Sequence, residues 1–308
     1  MAVDNAYEAL TEDSRDLGDR WAYGTGFQDP LSGVDATLPT GADLPAAARH
    51  VLGLGDDALV MAHRLSEWCT HAPELEEEVA LANIALDLLG QARLLLARAA
   101  QLDPGLRPAG VAGHVPDEDA LAFFRSAEEY RNVRLVEVPH GDFGHLVARL
   151  LVFSTWRLGV VDRLTGSRDP VVAAVAAKAV PEIAYHRDHA AGWTLRLGDG
   201  TDESHRRMAR GLAEVWPLVG ELFTTADAER PAIADGVGVD PATTRAEFED
   251  VLRRVRGQAT LGPPGADLRR DGDAPATAWG RTGRHTAALR DLLAEMQSVA
   301  RAHPEGRW

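Results

Sequence analysis

From Leu75 to Leu102 the chain runs 28 residues without a proline. Val79, Leu81, Ile84, Leu86, Leu88, Leu89, Leu94, Leu95 and Leu96 then place apolar side chains on nearly every side of the helix this length implies. A helix with no wet face is buried between several neighbours. At 1.5 Å per residue it spans roughly 40 Å, the length of a large bundle. Neighbours of the right kind are legible on both sides. Asp56 or Asp57 reads as the cap of a helix running to about Cys69, stopped by His71-Ala72-Pro73. A helix from about Asp117 through Glu137 follows a linker. Asp142 caps another to Leu164, and a long one covers about Val171 to Leu197, with Pro181 expected to kink it. Thr201 caps a helix through Phe223, and shorter helices lie near 242–257 and 283–302. No segment longer than five residues alternates convincingly, so no strand is expected and the fold class is all-α.

Residues 1–43 carry Gly24, Gly26, Pro30, Gly33, Pro39 and Gly41 with no sustained period, and Trp21–Phe27 holds three aromatics. The chain therefore divides into an extended, partly disordered arm over 1–50 and a helical domain over 51–308. Lys and Arg total 32 against 47 Asp and Glu, a net charge of -15. That balance argues against nucleic acid and anionic membrane as partners, but leaves room for a small anion held by local arginines. Cys69 is the only cysteine, which excludes an internal disulfide, an all-cysteine zinc site and an iron–sulfur cluster held by this chain alone. No unbroken apolar run approaches the ~18 residues of a membrane span, and the N-terminus is acidic where a signal peptide is basic then apolar. The expectation is a soluble, cytoplasmic protein.

A large bundle of long helices raises the question of a di-metal carboxylate centre, which needs a Glu from each of two helices and a Glu-x-x-His from each of two others. Glu137-x-x-His140 matches in letters but holds Pro139, while Asp142-x-x-His145 and Asp202-x-x-His205 sit at helix starts. What remains is a set of polar stripes. Lys178, Glu182, His186, His189 and Trp193 share one face of their helix. Asn83, Asp87 and Gln91 recur every four residues in the apolar helix, with His63 and Glu67 in the first. Lys, Tyr185 and Gly90 stand where ligands are needed, so a buried hydrogen-bond and ion-pair network is the plainer reading. Within it, the Lys178 ammonium is expected to lie inside the bundle and supply the positive charge a metal would otherwise bring. The rival is a self-sufficient di-metal oxygenase with the unorthodox ligand set Glu67, Asp87, Glu182 and His186. A third possibility is a helical binding module unconnected with oxygenases. No phosphate-binding glycine loop and no Gly-x-Ser-x-Gly elbow appear, and Cys69 beside Trp68 and His71 reads as a packed thiol.

Longer blocks are more specific. Leu54-Gly55-Asp56-Asp57, Arg64–Cys69, His71–Glu76, Ala80–Arg93, Tyr185-His186, Arg196–Thr201, Glu221-Leu222-Phe223, His285-Thr286 and Leu293–Gln297 closely resemble the family of C subunits of the ring 1,2-phenylacetyl-CoA epoxidase complex, over about residues 54–308. The resemblance implies a ferritin-like fold and a non-catalytic structural subunit. It would pair with a catalytic A subunit that holds the di-iron centre, so that no cofactor is expected in this chain. A small bridging B subunit and a flavin and iron–sulfur reductase subunit would complete the complex, which would epoxidise phenylacetyl-CoA with oxygen and NADPH. Alone, such a chain is expected to self-associate through its uncovered interface.

The resemblance also implies contacts to the CoA substrate from Glu129, Tyr130, Arg131 and Asn132, with Tyr130 stacking on adenine and Arg131 meeting a phosphate. A solvated helix face with ordinary charge pairs is the alternative for that segment. Arg230, Pro231 and Ala232 form a second candidate, whose own letters match poorly. Arg290 departs from the glycine often found in the family's C-terminal block, and the N-terminal arm is longer than in many relatives.

Overall fold

The computed structural model describes residues 31–263 and 279–306. The aromatic cluster at 21–27 lies outside the described residues. Leu31–Val34 form a turn closed by the Val34 N–H on the Leu31 carbonyl, and a single compact unit begins at Asp35. Ten α-helices follow, with no strand among the described residues: α1 Leu44–Ser66, α2 Leu75–Leu102, α3 Asp117–Phe123, α4 Phe143–Leu164, α5 Pro170–Gly198, α6 Asp202–Val215, α7 Arg230–Ala234, α8 Arg245–Gln258, α9 Ala287–Met296 and α10 Ser298–Ala302. The all-α assignment holds, and α1, α2, α4 and α5 are the long members of a ferritin-like bundle. α1 packs along α2, α4 along α5 and α6, and α2 meets α5 across the middle.

Local chemistry sets most boundaries. Asp142 accepts the His145 N–H (3.0 Å) and starts α4. Asp169 accepts the Val171 and Val172 N–H groups and starts α5 with Pro170 in its first turn, where a missing N–H costs nothing. α5 continues across Pro181 to Gly198 as one helix.

Other boundaries differ from the sequence reading. α1 begins at Leu44, inside the stretch assigned to the arm, because Asp43 caps it by accepting the Ala46 N–H (3.0 Å) and Pro45 follows. Asp56 and Asp57 are therefore not caps; they lie in mid-helix, wholly buried. The predicted 117–137 helix stops at Phe123. Ser126 and Glu129 form a capping box around a 3₁₀ turn, and a second 3₁₀ turn spans Arg134–Val136. Between them the Arg131 and Val133 N–H groups bond to the Asp56 and Asp57 carboxylates, both at 2.8 Å, which holds this segment extended. α6 stops at Val215, and Trp216–Phe223 continues as 3₁₀ turns with Pro217 near their start.

α2 also departs from expectation. Leu75, Val79, Leu86 and Leu89 are 71%, 54%, 64% and 42% exposed and line one side of the helix; Tyr185 of α5 is exposed too, its ring against His186 and His189, which face Asp87 and Glu77 of α2. The helix is apolar all round, yet this unit covers only part of it. By length and composition α2 is long and apolar enough to cross a membrane, although no unbroken run of that length appears in the sequence. Glu76, Glu77 and Glu78 occupy its first turn.

Candidate functional site

The polar stripes of α2 and α5 do meet. Asp87 Oδ2 lies 3.0 Å from His186 Nε2, the Gln91 amide donates to Glu182 Oε2 (2.9 Å), and His189 Nε2 lies 3.2 Å from Glu77 Oε2. α4 adds a group the stripes did not include. The Arg157 guanidinium donates twice to Gln91 Oε1 (3.1 and 3.0 Å) and once to the Leu54 carbonyl of α1 (3.2 Å). Arg157 and His186 are each 1% exposed. Burial, with the Arg281 charge adding to it and Asp57 opposing, lowers Arg157 to about 10, so it remains a cation at neutral pH. Burial is also the main reason His186 and His189 titrate below the usual histidine range, with Asp87 and Glu77 pulling the other way.

This layer corrects the cation expected from sequence. The Lys178 side chain is 46% exposed and pairs with Glu182 at 2.9 Å along the surface of α5, so it does not reach the interior. Arg157 is the buried cation. Lys178→Met is accordingly expected to change stability by only about 0.2–0.5 kcal/mol. Arg157→Met strands Gln91 Oε1 and the Leu54 carbonyl and is expected to cost about 1–3 kcal/mol. Urea unfolding of the two variants side by side checks the order, and a larger loss for Lys178→Met reverses the assignment.

The residues in this layer do not fit a di-metal centre. Of the rival set, Glu67 is elsewhere: it pairs with Arg64 (2.8 Å) and with His140 (3.4 Å). Asp87 and His186 bond to each other, and Glu182 is shared by Lys178 and Gln91. Two metal ions need several anionic donors converging on one point, whereas here a guanidinium and a primary amide fill the middle. Among the described residues no three His, Cys, Asp or Glu side chains form a group that could hold a metal ion.

Within the segment expected to touch substrate, Tyr130 and Asn132 are built into the core, while Glu129 is exposed and Arg131 half-buried. The Tyr130 ring is wholly buried under the Arg125 guanidinium, 4.2 Å from its centroid, and its hydroxyl donates to the Ala122 carbonyl at 2.5 Å. Burial raises its pKa. No face of that ring is left for an adenine. Asn132 is also buried, its amide donating to the Val133 carbonyl. The Glu129 carboxylate accepts the Ser126 N–H (2.7 Å) and serves the local turn. Arg131 alone of the four keeps a half-buried charged group, donating to the Glu128 and Tyr130 carbonyls. Both alternatives for this segment fall short, since it is neither a stacking platform nor a helix face.

Arg230 opens the short α7 and pairs with Asp227 at 2.9 Å; Ala232 is buried and Pro231 sits in the first turn. The link between the two candidate segments is Arg281, unforeseen from sequence. It donates to the Arg131 carbonyl (2.5 Å), pairs with Asp57 (2.6 Å) and lies 3.9 Å from Glu229. Burial would lower its pKa, but Asp57 and Glu229 outweigh that and hold it above the ordinary value. Arg290 pairs with Glu128 at 3.0 Å on the surface.

Residues 35–308 match the family described as "Phenylacetic acid catabolic protein". The chain is 42% identical over 259 residues to the C subunit of the 1,2-phenylacetyl-CoA epoxidase of Escherichia coli (strain K12), a match covering 84% of this chain and 98% of that protein. With nearly the whole described bundle inside the match, the chain belongs to the phenylacetic acid catabolic protein family.

Proposed function

We propose that this chain is a non-catalytic structural subunit of a phenylacetyl-CoA epoxidase, which pairs with a di-iron catalytic subunit through the exposed apolar side of α2 and the adjoining part of α5. The observation that carries this reading is the layer between α2, α4 and α5. It is closed by Arg157, Gln91 and Glu182, so the bundle keeps its helices but fills its centre with hydrogen bonds. The exposed row Leu75, Val79, Leu86, Leu89 and Tyr185 supports the second half, since apolar patches of this kind mark protein–protein surfaces. A small bridging subunit and a reductase complete the assembly in this reading, and iron and oxygen chemistry belong to the partner.

Co-expression with the catalytic subunit is expected to give one larger species on a sizing column, and two independent peaks overturn the pairing. Leu86→Glu with Leu89→Glu is expected to split the species, because two carboxylates would be buried in an apolar contact. Iron and manganese analysis of the chain purified alone is expected to read near zero. About two ions per chain would favour the self-sufficient oxygenase instead.

A further inference from the structure

A glycine inside a helix weakens it relative to alanine, because the bare residue loses more backbone freedom on folding. In most helices of this chain the reason for keeping one is visible. A methyl group built on Gly53 would stand 2.7 Å from the Arg281 guanidinium, and on Gly55 3.0 Å from the Leu96 side chain. On Gly198 it would stand 2.4 Å from the Ala259 carbonyl, and on Gly211 2.7 Å from the His145 backbone. At each of these places another element of the chain packs against bare backbone.

Gly90 of α2 and Gly192 of α5 differ. A methyl group on either would meet nothing within 4 Å outside its own helix turn, and neither has a positive φ. Nothing within this chain requires glycine at either position. Both face the uncovered side. Gly90 follows Leu86 by one turn and so joins the exposed apolar row, while Gly192 follows Tyr185 by two turns on the exposed side of α5. The bonds between the helices place the two glycines toward opposite ends of one groove. Gln91, next to Gly90, donates to Glu182, and His189, just before Gly192, pairs with Glu77, close to Leu75 and Val79. From Leu75 to Leu89 the row rises about 21 Å, roughly four helical turns, a length that a second helix matches and a loop tip does not.

We propose that a helix of the catalytic partner lies along this groove and packs directly on the backbone at Gly90 and Gly192, so that these two residues set how closely the subunits approach. The inference rests on the pairing proposed above and names its points of closest contact. Large apolar side chains on the partner helix suit such points, since the separation of two packed helices is set by the side chains at their contact.

Gly90→Ala, Gly90→Leu and Gly192→Leu test it. Gly257→Ala is the control, because Gly257 also meets nothing within 4 Å but lies near the end of α8. Alanine at Gly90 is expected to raise the melting temperature of the monomeric chain by about 1–4 °C, yet to weaken binding to the catalytic subunit about tenfold. Leucine at either position is expected to keep at least the wild-type melting temperature and to abolish co-elution on a sizing column. Gly257→Ala is expected to pair as the wild type does. Wild-type affinity in both leucine variants overturns the inference; if Leu86→Glu with Leu89→Glu still splits the complex, the pairing itself stands. A lower melting temperature for Gly90→Ala also overturns it, since the space would then be filled from within the chain. Weakening confined to self-association of the chain alone would assign the groove to a second copy and overturn the partner helix.

Discussion

Arg281→Ala is expected to lower the unfolding free energy by about 3–5 kcal/mol, because it leaves the buried Asp57 carboxylate without its counter-charge. Asp57 is 0% exposed and lies in the middle of α1. Two guanidinium nitrogens of Arg281 meet its two oxygens at 3.1 and 2.6 Å, and the Val133 N–H supplies the remaining bond. The same guanidinium donates to the Arg131 carbonyl, while the Arg131 and Val133 N–H bonds to Asp56 and Asp57 still hold that segment. The C-terminal segment is tied in elsewhere as well. The Gly280 N–H donates to Glu221 (2.7 Å), His285 meets the Tyr130 carbonyl (3.0 Å), and the Gln297 amide donates to the Ala122 and Arg125 carbonyls (both 3.0 Å). These remain in the variant, so the loss reads the charge pair. Chemical denaturation measures it, and a loss below about 1 kcal/mol would mean that water reaches and solvates Asp57.

Acid destabilisation is expected to begin below about pH 6.5, well above the carboxylate range. Five imidazoles, His63, His140, His145, His186 and His189, have pKa values lowered chiefly by burial. His140 falls furthest, to about 2, with the Arg149 and Arg64 charges adding to burial. Its Nδ1 accepts from Arg149 (2.8 Å) and its Nε2 faces the Arg64 carbonyl, a neutral imidazole with both nitrogens engaged. Because the folded values lie below the unfolded one, the unfolded chain takes up protons first as the pH falls. Stability is full above about pH 6.5 and is lost progressively below it, until the pH reaches the folded value. At pH 5 His140 alone accounts for about 2 kcal/mol. Glu137 and Asp119, whose pKa values are raised mainly by burial, act in the opposite sense, two groups against five. Melting curves at pH 7, 6 and 5 are expected to fall steeply. His140→Gln, which can still accept from Arg149 and donate to the Arg64 carbonyl, is expected to flatten that slope. A melting temperature constant from pH 7 to pH 5 would sink the argument.

The long helices were legible because their signals are local. Asp142 and Thr201 cap the helices they were expected to cap, and the apolar periodicity of α2, α4 and α5 covers the spans the structure shows. The polar stripes of α2 and α5 were also readable, since residues three and four apart share a face in any helix. Arg157 was missed although a signal was present: it stands in the strongly apolar run Leu146–Leu164, where a charge must find partners or pay for desolvation. Lys178 was chosen because it shares a stripe with Glu182, but spacing fixes only the face of the helix. It does not say how far round that face the neighbouring helix extends.

Sequence by itself determined the all-α class, the long helices and the lack of a regular pair of Glu-x-x-His motifs, all of which follow from short-range geometry and side-chain type. Tertiary structure alone decided what the charges do. Asp56 and Asp57 read locally as caps, since a carboxylate near a helix start accepts free N–H groups. They became interior anchors because Arg125 and Arg281, 69 and 224 residues further along the chain, arrive beside them. Tyr130 likewise reads as an available ring until Arg125 covers it and Ala122 takes its hydroxyl. A buried charge is tolerable only where its partner stands, and no local pattern records a partner that distant.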